Sequence, residues 1–151
     1  MNAKRVVAAA AAMLMTVTAT AAGLEVFKDY VPSKDVYNVT LVKVKPNRID
    51  EYLAGLKQTW VDSCEVGKKI GQVVECSVLV SNNPGNADYN VLLWTRSPSA
   101  AIGDPDQAMY EKFEAEFRKK LAEDKQDALV EGYEEMRTIV GDQDFRRIDF
   151  K

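Results

Sequence analysis

Residues 37 to 46 decide the fold, and they read Tyr-Asn-Val-Thr-Leu-Val-Lys-Val-Lys-Pro. The stretch is rich in β-branched residues and ends at Pro46, which predicts a strand followed by a breaker. A helical pattern follows, because apolar side chains from 49 to 70 recur three or four positions apart on one stripe. Asn47 is a candidate N-cap of that helix and Gly71 a candidate C-terminal stop.

Two further strands follow this helix. Residues 73 to 80 and 89 to 96 are both rich in β-branched or aromatic residues, and residues 82 to 86 between them read Asn-Asn-Pro-Gly-Asn. That dense turn signal makes the two strands a hairpin.

The last third of the chain predicts two helices and a strand. One helix begins near Ser99 and is interrupted or restarted at Asp104-Pro105, which has N-cap then N1 chemistry. A shorter helix carries an apolar stripe that includes Val140 and ends at Gly141. Residues 145 to 150 then form a short final strand, placed at a sheet edge by their charges.

This order of elements predicts an α+β fold of the ferredoxin-like βαββα(α)β kind, an antiparallel four-stranded sheet with helices on one face. The strands at 37–45 and 89–96 are apolar on both faces, a pattern typical of strands that are buried on both sides. A small monomer would leave one of these faces exposed. We therefore expect a homodimer that packs sheet on sheet; the alternative is that the N-terminal arm or the extra helix covers the face.

One segment carries a resemblance to a known family. Residues 42 to 53 read Val-Lys-Val-Lys-Pro-Asn-Arg-Ile-Asp-Glu-Tyr-Leu, and this strand-Pro-helix opening resembles that of the dimeric α/β-barrel superfamily, which includes antibiotic-biosynthesis monooxygenase-like domains. The resemblance covers element order over residues 37 to 150. Its members range from cofactor-free oxygenases and isomerases to proteins without known activity, so the fold does not fix the function. The arrangement is also similar to that of small secreted bacterial proteins of unknown function.

The first residues predict a signal peptide. A basic start, a short apolar core and the small residues Ala19-Thr20-Ala21 place cleavage after Ala21 or one residue later. The alternative, a membrane anchor, is disfavoured because the apolar run is shorter than the ~20 residues that span a bilayer. We expect residues 1–21 to be removed, 22–36 to form an irregular arm and 37–151 a single domain. The protein is then exported to the bacterial periplasm or secreted, with no membrane association after cleavage.

Composition excludes several classes of function. The chain contains no histidine and has a net charge of −3 without a basic patch. Histidine-dependent nucleophilic catalysis and histidine-ligated zinc, copper or haem are therefore excluded, and a nucleic-acid partner is not expected. The acidic pairs Asp104/Asp106 and Asp142/Asp144 lack the ligand spacing of a calcium loop and are explained by caps and turns. We expect no metal and no cofactor.

Cys64 and Cys76 are a candidate disulfide. Export permits one, and the helix and strand bring the two residues level with each other. A helix–sheet spacing of ~10 Å, however, puts their Cα atoms ~7 to 8 Å apart, just beyond the usual limit of about 6.8 Å. A disulfide and two buried thiols both remain open.

Four residues are candidates for binding a small aromatic ligand. Trp60, Tyr89 and Trp94 offer rings, and Arg96 offers a guanidinium for a carboxylate or phenolate. The simpler interpretation is core aromatics with an arginine at a strand end. The sequence thus favours a small-molecule-binding or structural homodimer. The alternative is a cofactor-independent oxygenase or isomerase acting on an aromatic or quinone-like substrate, with Tyr52 or Tyr89 moving protons; whether the chain is an enzyme stays open.

Overall fold

Four antiparallel strands form the central sheet, in the spatial order β3-β4-β2-β5. The structure is a computed structural model that describes residues 23 to 82 and 87 to 151; the predicted signal peptide and most of the hairpin turn lie outside them. Its elements are, in chain order, β1 (Tyr30–Pro32), β2 (Val36–Val44), α1 (Ile49–Leu56), a π-helical segment (Lys57–Val61), α2 (Asp62–Ile70), β3 (Glu75–Val80), β4 (Val91–Ser97), a 3-10 turn (Ala100–Gly103), α3 (Gln107–Phe117), α4 (Glu123–Met136), β5 (Arg137–Phe145) and β6 (Ile148–Phe150).

This strand order, with helices on one face, is the predicted ferredoxin-like α+β arrangement, so the fold prediction is confirmed. β2 lies between β4 and β5, and β3 pairs with β4 as the predicted hairpin. The sequence stretch that ends at Pro46 is therefore one of the two central strands. Both of its neighbours come from later in the chain, which makes β2 the strand that organises the sheet.

The helix predicted from the apolar stripe at residues 49 to 70 is confirmed, but a π-helical segment interrupts it. α1 and α2 are joined by the π-helical segment, and the helix ends at Gly71, whose φ of 86° is left-handed as a glycine stop requires. Asn47 is not the N-cap. Arg48 occupies that position, and Asn47 has a φ of 62°, a left-handed conformation that asparagine tolerates better than most residues.

The second half of the chain differs more from its prediction. α3 is capped by Asp106, whose carboxylate accepts a hydrogen bond from the Met109 amide at 3.0 Å, so Asp104 is not the cap. The prediction of a helix up to Gly141 is wrong, because α4 ends at Met136 and residues 137–145 form β5. The β-branched run Thr-Ile-Val fits a strand, and the pairing with β2 is preserved by a bulge that skips Val140.

A small second sheet joins the two ends of the described chain. β1, inside the arm that was expected to be irregular, pairs antiparallel with β6. The predicted final strand at 145–150 is thus divided, since Phe145 closes β5 and Ile148–Phe150 forms β6.

The main core lies between the sheet and the helices. Val42 and Val44 on β2 and Val91 and Leu93 on β4 are buried there, against side chains of the helices. The helix residues of this core are Tyr52, Leu56, Tyr133 and Met136. A smaller cluster packs α2 against α3 through Val66, Phe117 and Leu121.

Candidate functional site

The sheet face opposite the helices, called the open face from here on, is apolar. Side chains alternate along a strand, so the residues between the buried ones point to this face. Registered neighbours there are Leu41 opposite Leu92 and Val39 opposite Trp94. All four are only partly buried, and Leu79 on the neighbouring β3 is 52% exposed.

An aromatic pair and an arginine occupy one end of the open face. The Tyr37 and Trp94 rings lie 6.0 Å apart, tilted by 34°. Arg96, two residues beyond Trp94, pairs with Asp35 at 2.8 Å and with Glu75 at 3.4 Å. The hydrogen bond that Arg96 donates to the Asp35 carboxylate raises the pKa of Arg96 above its ordinary value. Arg96 is therefore already engaged by carboxylates, although its Nε is buried without a partner among the described residues.

The predicted ligand residues do not form one site. Trp60 lies in the π-helical segment and packs against the core on the helix side of the sheet, so the sheet separates it from Trp94. Tyr89, which is 39% exposed, lines a shallow depression with Leu79 and Leu92 beyond the other end of β4 from Arg96. Only Trp94 and Arg96 come together, because strand alternation puts both on the open face.

A second depression lies beside the aromatic pair. Its volume is about 370 Å³, and we call it the Arg146 depression; it is lined by Tyr37, Val39, Phe145, Arg146 and Arg147. Sequence reasoning missed Tyr37, Phe145 and Arg146 as site residues. Tyr37 and Phe145 become neighbours only through the pairing of β2 with β5. The sequence pattern does not indicate this pairing, because its apolar spacing predicts a helix up to Gly141.

A buried polar cluster lies on the helix side. The Tyr52 phenol, which has no solvent exposure, accepts a hydrogen bond from Arg137 Nη1 at 2.6 Å, and Thr59 bonds the Tyr133 phenol at 2.7 Å. The Arg137 guanidinium lies 5.3 Å and 4.8 Å from the centres of the two tyrosine rings. Burial raises the pKa of both phenols, with Arg137 acting in the opposite direction. Both tyrosines are thus neutral at pH 7 and act as packing and hydrogen-bonding groups.

Cys64 and Cys76 are joined as a disulfide between α2 and β3, with Cα atoms 6.6 Å apart. This separation is shorter than the ~7 to 8 Å expected from a standard helix–sheet spacing. Gly67 gives a physical reason, because a methyl group there would lie 2.7 Å from Val73 Cγ2. The missing side chain lets the chain entering β3 approach α2 closely.

The acidic pair Asp142/Asp144 has a structural partner on β2. Asn38 donates its amide to Asp142 at 2.7 Å and to Asp144 at 3.2 Å, so all three lie on the helix side of the sheet. Within residues 23–82 and 87–151, no group of three or more metal-ligating side chains comes together. No helix in the same ranges is long and apolar enough to cross a membrane.

The strand order, the single helix layer and the open face define the class of ferredoxin-like α+β proteins. No protein-family model matches the chain, and no curated protein matches it. Several solved structures are similar to it. SnoaB, a cofactor-independent oxygenase from Streptomyces nogalater, is 12% identical, with 75% of this chain and 92% of that chain covered and a TM-score of 0.42.

A dimeric protein of unknown function with a ferredoxin-like fold, from Bacteroides fragilis, is 16% identical over 78% of this chain and 100% of its own, with a TM-score of 0.40. A protein from Shewanella oneidensis is 11% identical over 80% and 99%, with a TM-score of 0.47. The similar structures include dimeric ferredoxin-like proteins and a monooxygenase-like protein. These are the same kinds of protein to which the segment of residues 42 to 53 showed a resemblance. The fold of this chain rests on its own strand order and pairing.

Proposed function

We propose that this protein is an exported homodimer that packs its two open faces together and binds a small molecule between them. The observation that carries the proposal is the apolar open face with Val39, Leu41, Leu92 and Trp94 at its centre. In water such a face is costly, since apolar surface is worth about 25 cal/mol per Å² when it is buried.

Burial across the described residues supports a second copy. On the open face, Leu79 is 52% exposed and Phe145 is 49% exposed, although both are large apolar residues. A two-fold interface uses every residue twice, so each apolar side chain on this face would be buried in both copies. Burying one Val or Leu side chain contributes about 1.5–3 kcal/mol, and a few such pairs offset the cost of association.

Export is supported by two independent features. Residues 1–21 have the charge and size pattern of a cleavable signal, and the Cys64–Cys76 disulfide suits an oxidising compartment such as the periplasm.

Binding is favoured over catalysis by the position of Tyr52. In the alternative, an oxygenase or isomerase for aromatic or quinone-like substrates, Tyr52 or Tyr89 would move a proton. Tyr89 lies beyond the end of β4 that is opposite to the aromatic pair of Tyr37 and Trp94. A general base or acid must come within hydrogen-bonding distance of the substrate. The Tyr52 phenol is completely buried and bonded by Arg137, whereas Trp94 and Tyr37 lie on the accessible open face.

Sedimentation of matched variants tests the homodimer. Val39→Asp puts a charge on the open face, and Val130→Asp makes the same change on α4, where the valine is 46% exposed. We expect the wild type and Val130→Asp to sediment as dimers at micromolar concentrations, and Val39→Asp as a monomer with an unchanged circular dichroism spectrum. A monomeric wild type, or a dimeric Val39→Asp, would overturn the proposal.

A further inference from the structure

We propose that the Arg146 depression is a binding site for planar aromatic carboxylates. This inference deepens the proposed function and rests on it, because the depression is shallow and a second sheet packed on the open face would close it. The inferred site consists of Tyr37, Phe145 and Arg146, with Trp94 alongside. It replaces the site of four residues that the sequence predicted.

The charge of the depression favours an anion. Arg146 and Arg147 both line it, in a chain whose net charge is −3. Arg147 is paired with Asp149 at 2.8 Å. No carboxylate among the described residues lies within ion-pair distance of Arg146, which donates instead from Nη1 to the carbonyl oxygens of Ser33 and Lys34 at 2.9 and 3.2 Å.

Those two bonds orient Arg146 without neutralising it. One nitrogen of the guanidinium is tied to the backbone of the turn between β1 and β2, and Nε and Nη2 bond to no other described residue. A guanidinium held in this way presents two parallel N–H donors, the geometry that a carboxylate accepts in a bidentate pair.

The remaining walls favour a flat apolar body. Phe145 is opposite Tyr37 in the β2–β5 pairing, so the two rings stand on the same face beside Arg146. Tyr37 also packs against Trp94, which extends the aromatic surface toward the centre of the open face. Rings of this kind stack on planar ligands, and a carboxylate at the ligand's edge would then meet Arg146.

The probe for the test is 1-naphthoate, and its neutral isostere is 1-naphthamide. Both are titrated by calorimetry into the wild type, Arg146→Gln and Arg118→Gln. Arg118 is the control because it is an arginine away from the open face, where it pairs with Glu114 on α3. We expect naphthoate to bind the wild type and Arg118→Gln equally. Binding to Arg146→Gln and binding of naphthamide should each be at least ~10-fold weaker, the loss expected for one charged hydrogen bond.

The location of binding is read from Trp94. In a Trp60→Phe background, Trp94 is the remaining tryptophan of the described residues, so its indole N–H gives a single proton–nitrogen NMR signal that should shift as naphthoate binds. Equal naphthoate affinity of Arg146→Gln and the wild type, equal affinity of naphthamide and naphthoate, or an unshifted Trp94 signal would overturn the inference.

Sedimentation of the same samples separates this inference from the proposed function. A dimeric protein that does not bind naphthoate would overturn the anion site and leave the homodimer standing. A monomer that binds naphthoate through Arg146 would overturn the homodimer and the enclosed site, and would retain only the pairing of Arg146 with the carboxylate.

Discussion

The Asn90 side chain forms the two hydrogen bonds that the backbone of a neighbouring strand residue would form at the edge of the core. It is 7% exposed, and its side-chain amide accepts from the Val44 N–H at 2.7 Å and donates to the Val44 C=O at 2.8 Å. The side chain therefore completes the hydrogen bonding of the last residue of β2, where the backbone ladder with β4 has ended.

Replacing this amide should be costly. In Asn90→Ala both polar groups of Val44 are left buried and unpaired, which costs roughly 1–3 kcal/mol for each group. We expect the free energy of unfolding to fall by about 3 kcal/mol in urea denaturation. Asn82→Ala, at an exposed asparagine, is the control and should stay within about 0.5 kcal/mol of the wild type. Equal stability of the two variants would show that water replaces the amide.

Tyr133 packs so closely against Gly55 that a side chain at this position has no room. An added Cβ would lie 2.7 Å from the Tyr133 hydroxyl and 2.8 Å from its ring, so Gly55→Ala must displace a ring that packs on Tyr52 and Arg137. We expect a loss of about 1–3 kcal/mol in the free energy of unfolding, as for overpacked cores. Gly103→Ala, where nothing lies within 4 Å of the new methyl, should leave stability nearly unchanged. A Gly55→Ala variant as stable as Gly103→Ala would mean that Tyr133 moves without cost.

At the scale of elements, the disulfide ties α2 to β3. It joins residues twelve positions apart, and in the chain-entropy model a loop of this size contributes about 3 kcal/mol. We expect reduction to lower the free energy of unfolding by about that amount, measured in urea with and without a phosphine reductant. The double variant Cys64→Ala, Cys76→Ala should not respond to the reductant. A wild type that is equally stable in both conditions would contradict the contribution.

Glu116 joins α2 to α3. Hydrogen bonds from Lys119 and Lys69 lower the pKa of its carboxyl to about 2. Because the folded pKa is depressed, the stabilisation is complete above the unfolded pKa of about 4.3 and is lost as pH falls towards 2. We expect the stability difference between the wild type and Glu116→Gln to be largest near neutral pH and to vanish near pH 2. A Glu116 carboxyl that titrates near 4.3 by carbon NMR would contradict this.

The first half of the fold was readable from sequence because local signals and tertiary packing agree there. The strand before Pro46, the helical stripe and the glycine stop at Gly71 all have their local chemistry in place. β5 was missed because Tyr133, Met136 and Val140 continue a helical spacing, and only pairing with the distant β2 turns residues 137–145 into a strand. The sequence predicts only part of the candidate site. Strand alternation predicts that Trp94 and Arg96 share a face, but the position of Phe145 and Arg146 depends on β5.

At the scale of the whole molecule, the proposed export makes a prediction about the N-terminus. Expressed in a bacterium, the protein should be found in the periplasm or medium and begin at Ala22 or Gly23, because Ala19 and Ala21 provide the small residues that signal peptidase requires. Intact-mass measurement of the purified protein checks this. Ala21→Arg should retain the leader, and a wild type that keeps Met1 would contradict the prediction.

The β1–β6 pairing has a consequence for the order in which the protein can fold. β6 lies at the end of the sequence and β1 near the start of the described residues, and Lys151 N–H donates to Asp29 C=O at 3.0 Å just beyond them. The central strand β2 likewise pairs with β5, which follows it in the sequence by about a hundred residues. These are contacts of high sequence separation, which are slow to form because a long stretch of chain must be closed first. In the proposed export, a chain that crosses the membrane N-terminus first would therefore hold β1 and β2 without β6 and β5 until those strands have followed.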